Sequence, residues 1–141
     1  MFDCVWPTRT ARFGAAVTKR GVLNMRNAKF ASDFGPIEDG CRCRCCRPVK
    51  GDGADGDGLG ITRALVHHNS SKETVAAHLL TIHNVWYQLN LMREVRDAIL
   101  EDRYPAYIRQ FFANLYADKK DYPSWAVDAL KMVDVDLMED E

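Results

Sequence analysis

Four of the chain's five cysteines fall within six residues, Cys41-Arg42-Cys43-Arg44-Cys45-Cys46. Core packing does not require that density. Thiolates so close together repel one another unless a cation neutralises them, so the cluster points to a metal site rather than to inert thiols. Zinc is the expected ion. It takes four ligands in a tetrahedron, and sulfurs a few residues apart can wrap around it while a helix supplies a histidine from elsewhere in the chain. The candidates are His67, His68, His78 and His83, and spacing alone does not choose among them. Residues 1–10 lack the basic stretch and apolar run of a secretory signal, so the thiols are expected to be reduced and the chain cytoplasmic.

The arginines interleaved with the cysteines have two readings. Three thiolates and one imidazole around Zn²⁺ leave a formal charge of about −1, which Arg42, Arg44 and Arg47 could offset from outside the ligand shell. Alternatively they face solvent. Beyond them runs RPVKGDGADGDGLG at 47–60, a glycine–aspartate segment with no side chain large enough to anchor a core, read as a flexible loop. Its Asp52, Asp55 and Asp57 lack the ordered ligand positions and closing glutamate of a calcium loop.

These groups need elements to position them. A length of 141 residues suits one ordinary domain, and 47% hydrophobic with 28% charged residues is a globular composition. No run approaches the roughly 20 apolar residues of a membrane span. The net charge of −1 conceals an asymmetry: residues 1–50 carry ten Lys/Arg against four Asp/Glu, and residues 51–141 carry nine against sixteen. The basic N-terminal third is suited to nucleic-acid phosphates. Residues 15–18 and 22–26, joined across Lys19-Arg20-Gly21, read as a β-hairpin. Ser70 with Glu73 three residues on reads as a capping box that opens a long helix over about 72–101, with an apolar stripe of Val75, Leu79, Ile82, Trp86, Leu89 and Met92. A second helix is expected over 104–116, with Pro105 in its first turn, and a third from Pro123 and Ser124 to Val133, after which the acidic end should fray.

Several of these stretches together resemble one family. MFDCVWPTRTARFG at 1–14, RNAKFASDFGPI at 26–37, the Cys-x-Cys-x2-Cys pattern and LLTIHNVWYQLNLM at 79–92 are similar, in that order, to the C-terminal part of the tRNA-guanine transglycosylases. The TRTARFG form is closer to the eukaryotic, queuine-using branch. The resemblance implies an α/β fold: the C-terminal fragment of a TIM-type (β/α)8 barrel with a zinc-binding subdomain and closing helices. The segments would be a late barrel portion and hairpin over 1–40, the zinc subdomain over 41–101 and C-terminal helices with an acidic tail over 102–141. It also implies Asp3 as the nucleophile, Arg9 and Arg12 as contacts to the tRNA anticodon region, and zinc held by Cys41, Cys43, Cys46 and His83, with Cys45 spare.

The implied reaction exchanges guanine for queuine at a tRNA wobble position. A carboxylate nucleophile can hold the ribose carbon while one base leaves and another enters. The implied partners are tRNA, a guanine or queuine base, and a related transglycosylase subunit in a dimer, with Trp86, Tyr87, Phe111 and Phe112 available either for such contacts or for the core. The sequence begins inside the nucleophile motif, so most of the barrel is expected to be missing and the chain is not expected to exchange a base by itself. The alternative is a non-catalytic zinc module that pairs with a full-length transglycosylase or with tRNA. A DNA-binding zinc finger is disfavoured by the ligand spacing and by the length of the histidine-bearing helix.

Overall fold

The computed structural model describes residues 3–49, 57–70 and 73–138. Five helices and two strands follow in order: α1 Trp6–Arg12, β1 Ala15–Thr18, β2 Gly21–Asn24, α2 Arg63–Asn69, α3 Thr74–Leu100, α4 Tyr104–Leu115 and α5 Ser124–Lys131. They divide into two compact units. Residues 1–18 and 22–90 form the first, and residues 19–21 and 91–141 the second. Mixed helix and strand is the expected class, and the sheet among the described residues is the two-stranded β1–β2 pair. None of the described helices is long and apolar enough to cross a membrane.

The hairpin lies where alternation placed it, but two short helices beside it carry too few periodic residues to be read from sequence. Pro7 lies in the first turn of α1, where a missing N–H costs nothing, and Gly14 at φ +76° turns the chain into β1. Thr62 caps α2 by accepting from the Leu65 N–H at 3.2 Å. Arg63, the first residue of α2, ties down the irregular stretch before the cysteines. Its guanidinium reaches Asp33 at 3.1 Å and donates to the Ile37 carbonyl at 3.2 Å.

Ser70 does not open α3. It is the C-terminal cap of α2 and donates its hydroxyl back to the His67 carbonyl at 2.9 Å. Ser71 and Lys72, also part of that expectation, lie outside the described residues, and α3 begins at Thr74.

The buried face of α3 differs from the expected stripe. Val75, Ile82 and Leu89 are exposed, whereas Ala76, Leu80, His83, Asn84 and Tyr87 are buried. The face is rotated by one residue, about 100° on a helix. Leu79 and Trp86 of the expected stripe still pack against the edge of the buried cluster; apolar periodicity misses the centre of the face because Ala76, His83 and Asn84 there are small or polar, and His83 and Asn84 meet thiols and main chain. In the first unit, the buried cluster pairs Met25, Phe30, Ile37 and Leu80 with Cys43, Cys45 and Cys46, and Trp86 packs against its edge.

The second unit is built on Ile108, Val135 and Leu137, flanked by Phe112, Tyr122 and Leu130. Phe112 and Tyr122 meet edge to face with ring centroids 5.4 Å apart, so Phe112 belongs to the core, as does Tyr87 in the first unit. The acidic end is packed as far as it is described. Val135 and Leu137 alternate within it and both are buried, and Arg109 donates to the Asp136 carbonyl at 3.0 Å. Residues 139–141 lie outside the described set.

α3 and α5 terminate alike. After α3 the Arg103 N–H reaches the Ala98 carbonyl and the Asp102 N–H reaches Ile99; after α5 the Val135 N–H reaches Leu130 and the Asp134 N–H reaches Lys131. Both are Schellman closures, and the left-handed residue is an aspartate each time, at φ 54° for Asp102 and 59° for Asp134. Aspartate tolerates that region better than a β-branched residue. Asp102→Val is therefore expected to destabilise by about 1–2 kcal/mol, and Asp102→Gly to be neutral or slightly stabilising, as read by urea unfolding.

A second expectation concerns acid. The hydrogen bond from Arg63, then that from the Gly35 N–H, holds the Asp33 carboxyl below its ordinary value of 3.8. A lowered carboxyl pKa adds stability above the unfolded value and loses it as pH falls through the folded one. Stability measured from pH 6 down should fall below about pH 4, and Asp33→Asn should flatten that limb.

Candidate metal centre

Residues 41–47 form a tight knuckle held by its own main chain. The Arg47 N–H bonds to the Cys43 carbonyl at 3.1 Å, the Cys43 N–H points at the Cys41 sulfur at 3.5 Å, and the Cys46 N–H at the Cys43 sulfur at 3.3 Å. Amides aimed at sulfur stabilise thiolate charge without any side chain. This is the role considered for the interleaved arginines. Arg42 and Arg44 are exposed, and Arg47 instead pairs with Asp57.

The described end of the glycine–aspartate segment is anchored against the knuckle. Leu59 donates to Arg44, Gly60 to Arg47 and Ile61 to Cys45, at 2.8–2.9 Å. A Cβ on Gly58 would lie 2.1 Å from the Arg47 carbonyl oxygen, so only glycine permits that approach. Residues 50–56, including Asp52 and Asp55 of the calcium reading, lie outside the described residues.

The fourth donor comes from α3. His83 places Nδ1 3.7 Å from the Cys41 sulfur and 3.5 Å from those of Cys43 and Cys46. The four donor atoms lie within 4.8 Å of one another. Bonds of about 2.3 Å to sulfur and about 2.0–2.1 Å to nitrogen in a tetrahedron set sulfur–nitrogen separations of about 3.6 Å, so the spacing fits one ion. The other ring nitrogen, Nε2, lies 2.9 Å from the Val17 carbonyl, which takes its proton and leaves Nδ1 free to bind.

The charges fit a cation as well. Burial pushes His83 toward neutrality, but Cys43 and Cys46 outweigh it and raise the imidazole to about 10. Hydrogen bonds from Cys41, Cys45 and Cys46 draw Cys43 far below the usual thiol range, while hydrogen bonds with Cys43 and Cys46, and then burial, raise Cys41. Such a cluster wants positive charge at its centre.

The structure brings together Cys41, Cys43, Cys46 and His83 and excludes the other histidines from the cluster. His67 bonds through Nδ1 to the Met25 carbonyl at 2.8 Å, and His68 and His78 are exposed. Cys45 is fully buried beside Cys43 but outside the four-donor set, its thiol donating to the Leu79 carbonyl at 3.3 Å. Asp3 is exposed ahead of α1, and Arg9 and Arg12 are exposed in the last turn of that helix. The family resemblance uses the His83-Asn84 pair only to choose the histidine and gives Asn84 no role of its own, yet Asn84 is fully buried beside it. Its signal was available: a second polar residue next to a ligand on the inward face of a helix.

Comparison with known proteins identifies the family. The family model for queuine tRNA-ribosyltransferase matches residues 1–117. The chain is 55% identical over 140 residues to the queuine tRNA-ribosyltransferase catalytic subunit of Schizosaccharomyces pombe, covering 98% of this chain and 33% of that protein. The corresponding subunit of Caenorhabditis briggsae is 46% identical, with 82% and 26% covered, and the queuine tRNA-ribosyltransferase of Desulforudis audaxviator is 45% identical, with 80% and 27% covered. The chain thus spans a third or less of the length of these relatives. With a family match over most of its residues and a cysteine–histidine cluster spaced for one ion, the chain belongs to the queuine tRNA-ribosyltransferase family.

Proposed function

We propose that this chain is the zinc-bearing part of a tRNA-guanine transglycosylase, which replaces guanine by queuine at the tRNA wobble position. The observation that carries this reading is the 55% identity, over 98% of the chain, to a protein named as a queuine tRNA-ribosyltransferase catalytic subunit. In this reading residues 1–40 are a late segment of a (β/α)8 barrel, residues 41–101 the zinc subdomain and residues 102–141 the closing helices. A related transglycosylase subunit is the proposed dimer partner.

Asp3 takes the nucleophile's role. A carboxylate oxygen bonds to ribose C1′ as the bond to guanine breaks, and the base leaves with the electron pair and a proton from a general acid. The incoming queuine then attacks C1′ through its ring nitrogen, gives that nitrogen's proton to the same group acting as general base, and releases the carboxylate with the electron pair of the ester bond. Asp3 is exposed, and a solvated carboxylate is not oriented for attack. The sugar must be held against it by the portion of the relatives that this chain does not span. Arg9 and Arg12, three residues apart on α1, present planar donor arrays suited to phosphate.

Zinc supplies a four-point tie between the knuckle and α3. Because protein atoms occupy all four positions, the proposed ion is structural rather than a source of activated water. One observation favours a second reading, a zinc-stabilised module that binds RNA or a partner without exchanging a base: all four donors of the cluster are protein side chains.

The metal is tested by elemental analysis and thermal unfolding. One zinc per chain is expected, lost in Cys43→Ser and His83→Ala and retained in Cys45→Ser. Structural zinc in small domains is worth on the order of 10 kcal/mol, so either ligand variant should lose cooperative melting. Acid should release the ion as protons reclaim the thiols. Full zinc in His83→Ala would refute the donor set.

The RNA role is tested with unmodified tRNA. Replacing Arg9 and Arg12 together by glutamine should weaken binding and lower the slope of log affinity against log salt by about 1.4–1.8, the contribution of two phosphate contacts. Asp3→Ala should bind as the parent does. Labelled guanine incorporation by the 141-residue chain should equal that of Asp3→Ala; Asp3-dependent incorporation would mean that this chain completes a site unaided.

A further inference from the structure

Asn84 is the one fully buried neutral amide side chain among the described residues, and its hydrogen bonds all leave its own helix. Its Oδ1 accepts from the Val17 N–H at 2.9 Å. Its Nδ2 donates to the Ala15 carbonyl at 3.0 Å and to the Pro7 carbonyl at 3.1 Å. The neighbouring ligand His83 takes the Val17 carbonyl through Nε2 at 2.9 Å. Two consecutive side chains of α3 therefore hold both main-chain groups of one β1 residue, and the second reaches on into α1.

The arrangement matters because α1 has little to hold it otherwise. It is seven residues long, lacks a side-chain cap at its start, and fixes itself by burying Pro7 and Ala11. A helix this short is not stable alone. Pro7, the residue Asn84 grips, lies two residues before Arg9 and five before Arg12. The imidazole that closes the metal cluster and the amide that grips the arginine helix are adjacent in sequence on one rigid turn.

We propose that Asn84 is a positioning residue. With His83 it ties helix α1 to the metal centre, so that an occupied cluster sets where Arg9 and Arg12 point. The inference rests on the reading of those arginines as RNA contacts and adds a residue that touches no RNA. Metal binding and RNA binding become thermodynamically linked, each strengthening the other by the same factor.

The test uses the zinc-loaded 141-residue chain and an anticodon stem-loop RNA with guanine at the wobble position. Affinity is measured by fluorescence anisotropy from 50 to 200 mM salt, and amide hydrogen exchange is followed in α1 and in the knuckle. Asn84→Leu keeps the side-chain volume and removes all three bonds. It is expected to hold one zinc and retain protection in the knuckle, lose protection in α1, and bind RNA about tenfold more weakly, with a salt slope lower by about 1.4–1.8. Adding Asn84→Leu to the double Arg9→Gln, Arg12→Gln variant should cost nothing further, a non-additivity that general destabilisation does not produce. Should Asn84→Leu fail to hold zinc, Asn84→Asp is measured by the same criteria, because it keeps the acceptor for Val17 while weakening the grip on Pro7 and Ala15. A parent chain that does not bind the stem-loop sinks the functional reading itself. A parent that binds, with the zinc-bound Asn84 variant matching it in affinity and slope or adding its loss to that of the arginine pair, sinks only the inference.

Discussion

His83 stands with one ring nitrogen 3.5–3.7 Å from three cysteine sulfurs and the other 2.9 Å from the Val17 carbonyl, and the first unit is arranged to keep it there. The constraint is severe. Three sulfurs drawn together without a positive centre repel, and the knuckle that presents them has no wide apolar face of its own. Cys43, Cys45 and Cys46 occupy positions in the buried cluster that a larger domain would fill with leucine or phenylalanine. A cation held by the four donors would supply cohesion that such a core lacks in apolar area. Glycine at position 58 serves the same end by letting the returning segment lie against the Arg47 main chain, so that three amides close the knuckle from outside.

The charge asymmetry of the sequence becomes intelligible beside this centre. The lysine and arginine excess of residues 1–50 lies in the segment that contains α1, the hairpin and the knuckle, and the acidic excess lies downstream. Neutralisation inside the cluster is handled by backbone amides and the expected cation, which leaves Arg42 and Arg44 exposed. Asp33 and Arg63 show the contrasting use of charge: a half-buried pair anchors α2 to the loop ahead of the cysteines. Its worth depends on geometry and on several hydrogen bonds made at once rather than on Coulomb attraction alone.

What could be read from the sequence followed the physics of each signal. The cysteine spacing, the hairpin turn and the existence of the long helix rest on local chemistry, and each appears where it was read. The choice of histidine did not follow from spacing; it came with the family resemblance. Helices α1 and α2 went unread because seven residues give barely two turns of periodicity. The α3 stripe failed for a different reason. Counting apolar residues assumes that the inward face is apolar, and here the inward face carries a ligand and an amide whose partners are sulfurs and carbonyls. The packing of residues 135 and 137 was missed because the charge of the acidic end outweighed two alternating apolar residues, Val135 and Leu137, both of which are buried.

A His-Asn pair in a core is costly unless every polar atom has a partner, and here the partners are supplied with little redundancy. The Val17 N–H and carbonyl are both taken by α3, so one position on the open edge of a two-stranded ribbon is satisfied by side chains rather than by a third strand or by water. The Asn84 amide uses both its protons on carbonyls 69 and 77 residues away in sequence. An apolar pair of the same size would fill the space equally well but would specify neither the register of β1 against α3 nor the entry of α1. Hydrogen bonds that must be made to avoid buried, unpaired groups select one arrangement among several that hydrophobic packing tolerates. In this unit the groups that select it are His83, which completes the four-donor cluster, and its neighbour Asn84, so the element that closes the cluster also fixes the backbone around it.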